Sequence, residues 1–197
     1  MSSREKILQQ VKANKPPMSP LPTQTTFASI PPEERLTAFI KSNENAGGIV
    51  CLVPDVAIIG NYLKVNFTSP ERILNTVQGV GFGLEADAPI TDGRAFGNLE
   101  IAVVESLLGV AENGAAWVTE DNLPTRVLPF ICEHLALVIH ADNIVGTMHE
   151  AYAALNVAAT GYGTFIAGPS RTADIEQSLV IGAHGPKRMH VFIVQPF

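Results

Sequence analysis

Cysteine is scarce in this chain. Of its 197 residues, Cys51 and Cys132 are the only cysteines. Two thiols cannot supply a four-cysteine iron–sulfur cluster or a four-cysteine zinc site. Both lie in apolar runs, "GGIVCLVP" and "VLPFICEHLALVI", a setting typical of buried, inert thiols. The chain also lacks a flavin or nicotinamide fingerprint, so the sequence predicts no redox cofactor and no metal.

Basic clusters and long apolar runs are missing as well. The net charge is −6 and no basic stripe accumulates, which argues against nucleic acid as a partner. The polar start "MSSREKILQQVKANK" lacks the apolar core of a signal peptide. No apolar run reaches the roughly 18 residues that a membrane span needs. We therefore expect a cytoplasmic protein without a membrane span.

Apolar residues make up 46% of the chain, enough for a sizeable core. Residues 1–30 are predicted to form an outlying helix, with Ile7, Leu8 and Val11 at helical spacing, and a proline-rich connector. Residues 31–197 are predicted to form the domain proper. A helix detached in this way is compatible with self-association into a homo-oligomer.

The domain alternates apolar strands with helices. The segments "IVCLV", "LEIAVVES", "GAAWVTE", "GTFIAG" and "MHVFIV", together with Leu135–Ile139, are predicted strands. Because most of them are apolar throughout, the pattern indicates a largely parallel, buried sheet. The fold class is therefore α/β, with helices on both faces of the sheet.

Four segments are predicted to be helices. They are "PPEERLTAFIKSNENAGG", a segment starting at Ser69-Pro70, "NIVGTMHEAYAALN" with Asp142 as its cap, and "ADIEQSLVIG". The glycine-rich stretch "GVGFGLEADAPITDGRAFGN" is predicted to be a surface loop.

The turn at Gly168 is the main candidate for a ligand site. Gly168-Pro169 ends a predicted strand, and Ser170, Arg171 and Thr172 are predicted to start the next helix. In α/β sheets ligands bind at such strand-to-helix turns, where backbone amides hold anions. Arg171 adds a charge suited to a carboxylate or phosphate. The alternative is an ordinary capped helix with no ligand.

The residues around this turn allow both interpretations. Asp174 and Glu176 would complement the positive end of the predicted helix, and they also oppose a bound phosphate. His184, followed by Gly185, suits a general base, a metal ligand or a loop hydrogen bonder. No metal-ligand motif includes these side chains, so a metal site is not predicted.

"GPSRTADIEQSLVIGAHGP" closely resembles the signature near the C-terminus of the LUD-domain family. The resemblance extends back through "YGTFIAGPSRTADIE", "LPFICEHLALVIHADNIV" and "GVAENGAAWV", from roughly Leu99 to Val194. Residues 1–98 match only loosely. The resemblance implies a fold similar to that of sugar-phosphate isomerases and coenzyme A transferases, a three-layer α/β/α domain with a mostly parallel sheet.

The resemblance also implies a role in L-lactate utilisation, the oxidation of L-lactate to pyruvate. It implies two partner proteins rich in iron–sulfur cysteines, and the scarcity of cysteine here fits a third component without clusters. The family supplies no catalytic residue to carry over.

Glu112 is a second candidate. The triplet Glu112-Asn113-Gly114 lies between two predicted strands and looks like the glutamate turn of class I coenzyme A transferases. A carboxylate there is a chemically sensible nucleophile. Asn-Gly is also a common turn signal, and the LUD family usually has threonine where Asn113 stands.

Three functions remain open. The first is an accessory or regulatory component of a lactate-oxidising system with a pocket for a small carboxylate or phosphate. Its site would be the turn with Arg171, and His184 would lie nearby. The second is an independent enzyme of acyl or phosphate-ester chemistry with Glu112 as nucleophile or base. The third is a protein-interaction module whose motif only fixes the fold. The first two require a pocket that joins Arg171, His184 and Glu112.

Overall fold

A computed structural model of the chain describes residues 2–20, 28–85, 92–173 and 179–195. Its helices are α1 (Ser3–Ala13), α2 (Pro32–Asn45), α3 (Ala57–Asn66), α4 (Leu128–Ile131) and α5 (Met148–Ala154). Its strands are β1 (Ile49–Val53), β2 (Ile73–Asn75), β3 (Leu84–Glu85), β4 (Ile101–Glu105), β5 (Leu108–Val110), β6 (Ala115–Thr119), β7 (His134–His140), β8 (Ile144–Val145), β9 (Gly163–Ile166), β10 (Arg171–Ala173), β11 (Leu179–Ile181) and β12 (Arg188–Val194).

A six-stranded sheet forms the centre of the fold. Its strand order is β1-β12-β7-β4-β2-β3, and every neighbouring pair is parallel. The middle strands β4, β7 and β12 are buried along nearly their whole length. This confirms the α/β class, because strands covered on both faces must be apolar throughout.

Helices cover both faces of this sheet. Ile59 and Leu63 of α3 pack on one face with Val103, Val138 and Phe192. Phe39 of α2 packs on the opposite face, where α4 and a second sheet complete the layer. Alternate residues of each strand therefore feed two separate cores.

The second sheet has the order β8-β5-β6-β9 and was not foreseen as a separate unit. β6 pairs antiparallel with both β5 and β9. The cause is the short connection between β5 and β6, where Gly114 has a φ of +70°. A tight turn of this kind returns the chain beside itself, so β6 cannot join the parallel sheet.

The N-terminal helix forms as predicted and contacts little. Ser2 and Glu5 cap it reciprocally, and none of its residues is buried. Ile7, Leu8 and Val11 stay more than half exposed. The domain boundary at residue 31 stays a prediction. Among the described residues no helix is both long and apolar enough to cross a membrane.

The helix predicted to start at Ser69-Pro70 is wrong. A single 3-10 turn, Pro70–Arg72, leads directly into β2. Ile73 and Leu74 are buried there and pair with β4. Helix α3, which the sequence analysis missed, precedes them. Tertiary pairing with an existing strand overrides the local helical spacing in this region.

Helix α5 begins later than predicted. Asp142 lies in a 3-10 turn, and Ile144 and Val145 form β8, which pairs with β5. The helix cap is Thr147, whose hydroxyl accepts a hydrogen bond from the Glu150 amide at 3.3 Å. A buried strand pairing therefore uses the residues that the pattern assigned to the first turn of the helix.

Candidate functional site at the end of helix α2

The turn that follows β9 lies directly against the C-terminal end of α2. Gly168 has a φ of +71°, in the left-handed region. A Cβ atom at this position would lie 2.9 Å from the Cβ of Ala46 and 3.0 Å from its carbonyl oxygen. Only glycine fits both the backbone conformation and the close approach.

Arg171 binds the end of the same helix. Its Nη2 donates a hydrogen bond of 2.6 Å to the carbonyl oxygen of Ala46, the C-cap residue of α2. The guanidinium lies over Gly47, where an added Cβ would be 2.5 Å from Nη2. The negative end of a helix attracts a cation, so this partner replaces the carboxylate that a turn arginine usually needs. The side chain remains exposed.

The rest of the signature folds back on Ser170. The Ser170 amide donates to the carbonyl of Pro186 at 2.9 Å, and the Gly182 amide donates to the carbonyl of Ser170 at 3.0 Å. A Cβ at Gly185 would lie 3.1 Å from the Cβ of Ser170. The two ends of the motif are therefore in contact.

The helix predicted for "ADIEQSLVIG" is wrong in its described part. β10 and β11 pair antiparallel, with Thr172 opposite Val180. A β-branched-rich "LVI" run suits a strand, and its pairing satisfies backbone groups that a helix would have bonded internally. Asp174 and Glu176 lie outside the described residues, and His184 lies in the exposed segment that follows the hairpin.

Glu112 occupies the turn between β5 and β6. Its Oε1 accepts a hydrogen bond of 2.8 Å from the amide of Met148, the first residue of α5. Its own amide donates to the carbonyl of Gly146 at 3.1 Å. Asn113 closes the turn by accepting from the Ala115 amide at 3.0 Å. In this arrangement the Glu112 carboxylate caps α5.

The last turn of α2 contacts both candidate segments. The Ser42 hydroxyl donates to the carbonyl of Ala111 at 2.9 Å. A Cβ at Gly114 would lie 2.9 Å from the amide nitrogen of the Asn43 side chain. Ala46, one turn later, contacts Gly168 and Arg171. We call residues 42–48, 111–114 and 168–171 the α2 junction.

Asn43 is an unusual member of the α2 junction. Its side chain is 1% exposed, and its Nδ2 donates to the carbonyl of Phe39 at 3.0 Å. Its Oδ1 is buried and accepts no hydrogen bond from the described residues. Buried polar atoms are nearly always paired, so this oxygen is an acceptor open to a donor. Sequence reasoning missed Ser42 and Asn43. The one sequence signal for a close approach of another segment to this end of α2 is the glycine pair Gly47-Gly48.

A second carboxylate lies near Glu112. Glu150 binds Arg35 at 2.9 Å, accepts from the Gly146 amide at 3.1 Å, and also bonds the Ser29 hydroxyl. The Ser29 hydrogen bond, then that of Gly146, holds the pKa of Glu150 below its ordinary value. These contacts attach the segment before α2 to the start of α5, a structural task that the sequence did not reveal.

The described residues hold no group of three or more His, Cys, Asp or Glu side chains arranged to bind a metal. The pKa of the Cys132 thiol is raised to about 12, chiefly by burial, and burial also raises that of Cys51. Both thiols are thus protonated at neutral pH, in agreement with the prediction of inert cysteines.

Several known proteins are similar in sequence to part of this chain. The family model described as the LUD domain matches residues 68–194. Lactate utilization protein C from Bacillus pumilus is 36% identical over 93 residues, 44% of this chain and 39% of that protein. Lactate utilization protein C from Shouchella clausii is 30% identical over 101 residues, 48% of this chain and 44% of that protein. Each match therefore spans less than half of the relative's length.

A solved structure shows the same fold. A DUF162 family protein from Deinococcus radiodurans aligns with a TM-score of 0.64 over 84% of this chain and 99% of that chain. The sequence identity is 21%, so the likeness concerns the fold alone.

Proposed function

This chain belongs to the LUD-domain family, and from that premise we propose that it is a component of an L-lactate utilisation system, in which L-lactate is oxidised to pyruvate. The observation that carries the proposal is its similarity to proteins named Lactate utilization protein C. The proposed role is accessory or regulatory, beside partners that carry iron–sulfur clusters.

The state of the cysteines supports a role without clusters. Cys51 and Cys132 are free, and burial raises the pKa of both thiols. Cluster ligation needs thiolates, which these environments disfavour. Electron transfer in the proposed system is then assigned to the partner proteins, while this chain binds a small molecule or the partners themselves.

The α2 junction is the proposed ligand site. Arg171 is exposed and uses one nitrogen for Ala46, so its remaining N–H groups suit a carboxylate or phosphate. Asn43 lies about one turn before Ala46 on α2, and its buried Oδ1 suits a hydroxyl donor that enters the junction. Ser170, Thr172 and Gly185, with Asp174, Glu176 and His184, are proposed to line the same region. A hydroxy-carboxylate offers both groups that this arrangement would recognise.

One observation favours a second function. Arg171 and Glu112 both bond to main-chain atoms, which is the behaviour expected of a protein-interaction module whose motif only fixes the fold. An independent enzyme using Glu112 as nucleophile would have to release that carboxylate from the Met148 amide first. The ligand site and the interaction module therefore compete as explanations of the same contacts.

Ligand-induced stabilisation tests the site. Purified protein is screened by thermal unfolding against L-lactate, pyruvate, coenzyme A, inorganic phosphate and sugar phosphates. A ligand present at 100 times its dissociation constant adds about 2.7 kcal/mol of stability. The proposal predicts a shift for a carboxylate or phosphate that disappears in Arg171→Ala.

Arg94→Ala is the matched control, because Arg94 is also exposed and, among the described residues, forms its ion pair with Asp92. A shift that survives Arg171→Ala would move the ligand elsewhere. If no ligand shifts the unfolding temperature while the cluster-bearing partners co-purify with the chain, the interaction module is the correct function.

A further inference from the structure

Three polar side chains form a hydrogen-bonded chain between α3 and the parallel sheet. The Tyr62 hydroxyl lies 3.2 Å from His190 Nδ1, and His190 Nε2 lies 3.2 Å from His134 Nδ1. They come from α3, β12 and β7. His190 is 4% exposed, and Tyr62 and His134 are half-buried. Neither ligand nor partner recognition in the α2 junction uses them.

The two imidazoles meet edge to edge. Their planes differ by 20° and their centroids lie 5.5 Å apart. The distance of 3.2 Å between His134 Nδ1 and His190 Nε2 accounts for most of the distance between the ring centroids, so the rings do not lie face to face. One of the two nitrogens donates its proton and the other accepts with its lone pair. The contact therefore exists only while one of these nitrogens is unprotonated.

Aromatic side chains enclose this contact. Phe67 places its ring 5.3 Å from that of His134 and 6.1 Å from that of His190. Phe192 lies 5.1 Å from the ring of Tyr62. A charge on His190, which is 4% exposed, would have little contact with water, and this favours its uncharged form.

Charged neighbours do not offset a proton on His190. Arg188, on the same strand, adds positive charge, and the Cys51 thiol of β1 near Tyr62 is protonated because burial raises its pKa. The pKa of His190 is accordingly lowered to about 4, by burial first and then by His134 and Arg188.

The carboxylates near His134 are already paired with cations. Arg72 lies 3.4 Å from Glu100 and 3.4 Å from Glu133, and Lys187 lies 3.2 Å from Glu133. The pKa of His134 is also lowered, chiefly by burial and then by Arg188, although Glu100 and Glu133 oppose the change. Both imidazoles therefore resist protonation while α3 is in place.

We propose that Tyr62, His190 and His134 form an acid-sensitive latch that holds α3 on the parallel sheet and releases it when the imidazoles are protonated. With both rings uncharged, every hydrogen bond of the latch is made. A proton on His190 places a positive charge among Phe67, Phe192 and Arg188. Lifting α3 brings that charge into water and exposes the apolar face beneath it. The latch is independent of the proposed function.

The direction of the pH effect follows from linkage. In the opened state His190 has its ordinary pKa of 6.5, and in the closed state about 4. The opened state therefore binds more protons between these two values, and opening becomes more favourable as pH falls through this range. With these two pKa values, linkage makes the opening constant roughly 60-fold larger at about pH 4.5 than at about pH 7.

Hydrogen exchange of the α3 amides tests the latch, with α2 as the internal reference because it packs on the opposite face. We expect the protection of α3 relative to α2 to fall roughly 60-fold from about pH 7 to about pH 4.5. The His190→Leu variant should show a constant ratio. His140→Gln is the matched control, an exposed histidine at the other end of β7, and should keep the natural response. Parallel loss of protection in both helices overturns the proposal.

A titration of the imidazole nitrogens by NMR needs no variant and decides the matter if His190→Leu fails to fold. The latch requires His190 to stay uncharged well below pH 6.5 and to take up its proton as α3 loses protection. A His190 that titrates near 6.5 while α3 stays protected shows that no latch exists.

Discussion

The α2 junction and the histidine latch place polar side chains on opposite faces of the same sheet, and they do so differently. At the junction Arg171 and Glu112 bond to main-chain atoms and stay exposed. In the latch the side chains bond to one another, and His190 is buried. The junction therefore depends on backbone shape, whereas the latch depends on protonation state.

The largest expected effect comes from backbone shape. Gly168→Ala should destabilise the protein by about 2–4 kcal/mol, because alanine disfavours the positive φ and its methyl group meets Ala46. Denaturant unfolding measures the change. Gly81→Ala is the control and should cost about 1 kcal/mol. Gly81 has a φ of +65°, but no atom of the described residues lies within 4 Å of the position that its Cβ would take. Equal losses in both variants would remove the packing part of this explanation.

Acid should affect the latch more than the junction. The folded pKa of His190 lies below its unfolded value of 6.5, so the stability it confers is complete above 6.5 and is lost towards about 4. We expect His190 alone to lower the free energy of unfolding by about 2–3 kcal/mol when the pH falls from about 7 to about 4.5. The acid-induced loss of unfolding free energy is measured for the natural chain and for His190→Leu, and the difference is the contribution of His190. An identical loss in both proteins would refute this prediction.

Removing the charge at the junction should cost less. Arg171→Ala loses one charge-assisted hydrogen bond to Ala46 at an exposed site, worth about 1 kcal/mol. Arg94→Ala, which removes an exposed ion pair, should change the free energy of unfolding very little. If both arginine variants unfold at the same denaturant concentration as the natural chain, the hydrogen bond from Arg171 to Ala46 does not contribute to stability.

The smallest effect is expected at Glu112. Glu112→Gln keeps an acceptor for the Met148 amide and removes only the charge at the start of α5, which should cost about 0.5 kcal/mol. Denaturant midpoints of the two proteins give this difference. Complete loss of a ligand-dependent activity with this small change in stability would instead support the enzyme that uses Glu112.

Particular residues show what local patterns can predict. The strands β4, β7 and β12 followed from continuous apolar runs, because strands covered on both faces must be apolar throughout. β1 was predicted from the same kind of run, although it lies at the edge of the sheet and only Val53 is buried. The same spacing rules misassigned Ile73-Leu74 and Ile144-Val145 to helices. Both pairs are hydrogen-bonded to strands distant in sequence, and no local pattern indicates such a partner.

The candidate site divides in the same way. The glycines of the signature and Arg171 were identifiable from residue type and resemblance. Ser42, Asn43 and Ala46 were not. Ala46 meets the signature, and Ser42 and Asn43 meet the turn that contains Glu112, only when α2 is packed. The pairing of His134 with His190, 56 positions apart, was invisible for the same reason.

The sequence by itself determined the α/β class, the main strands, the absence of a four-cysteine site and the family signature, since all of these depend on composition and short-range order. The tertiary structure decided which polar groups are partners. Hydrogen bonds act over about 3 Å, and only the folded chain brings Arg171 to Ala46, Glu112 to Met148 and His134 to His190 within that distance.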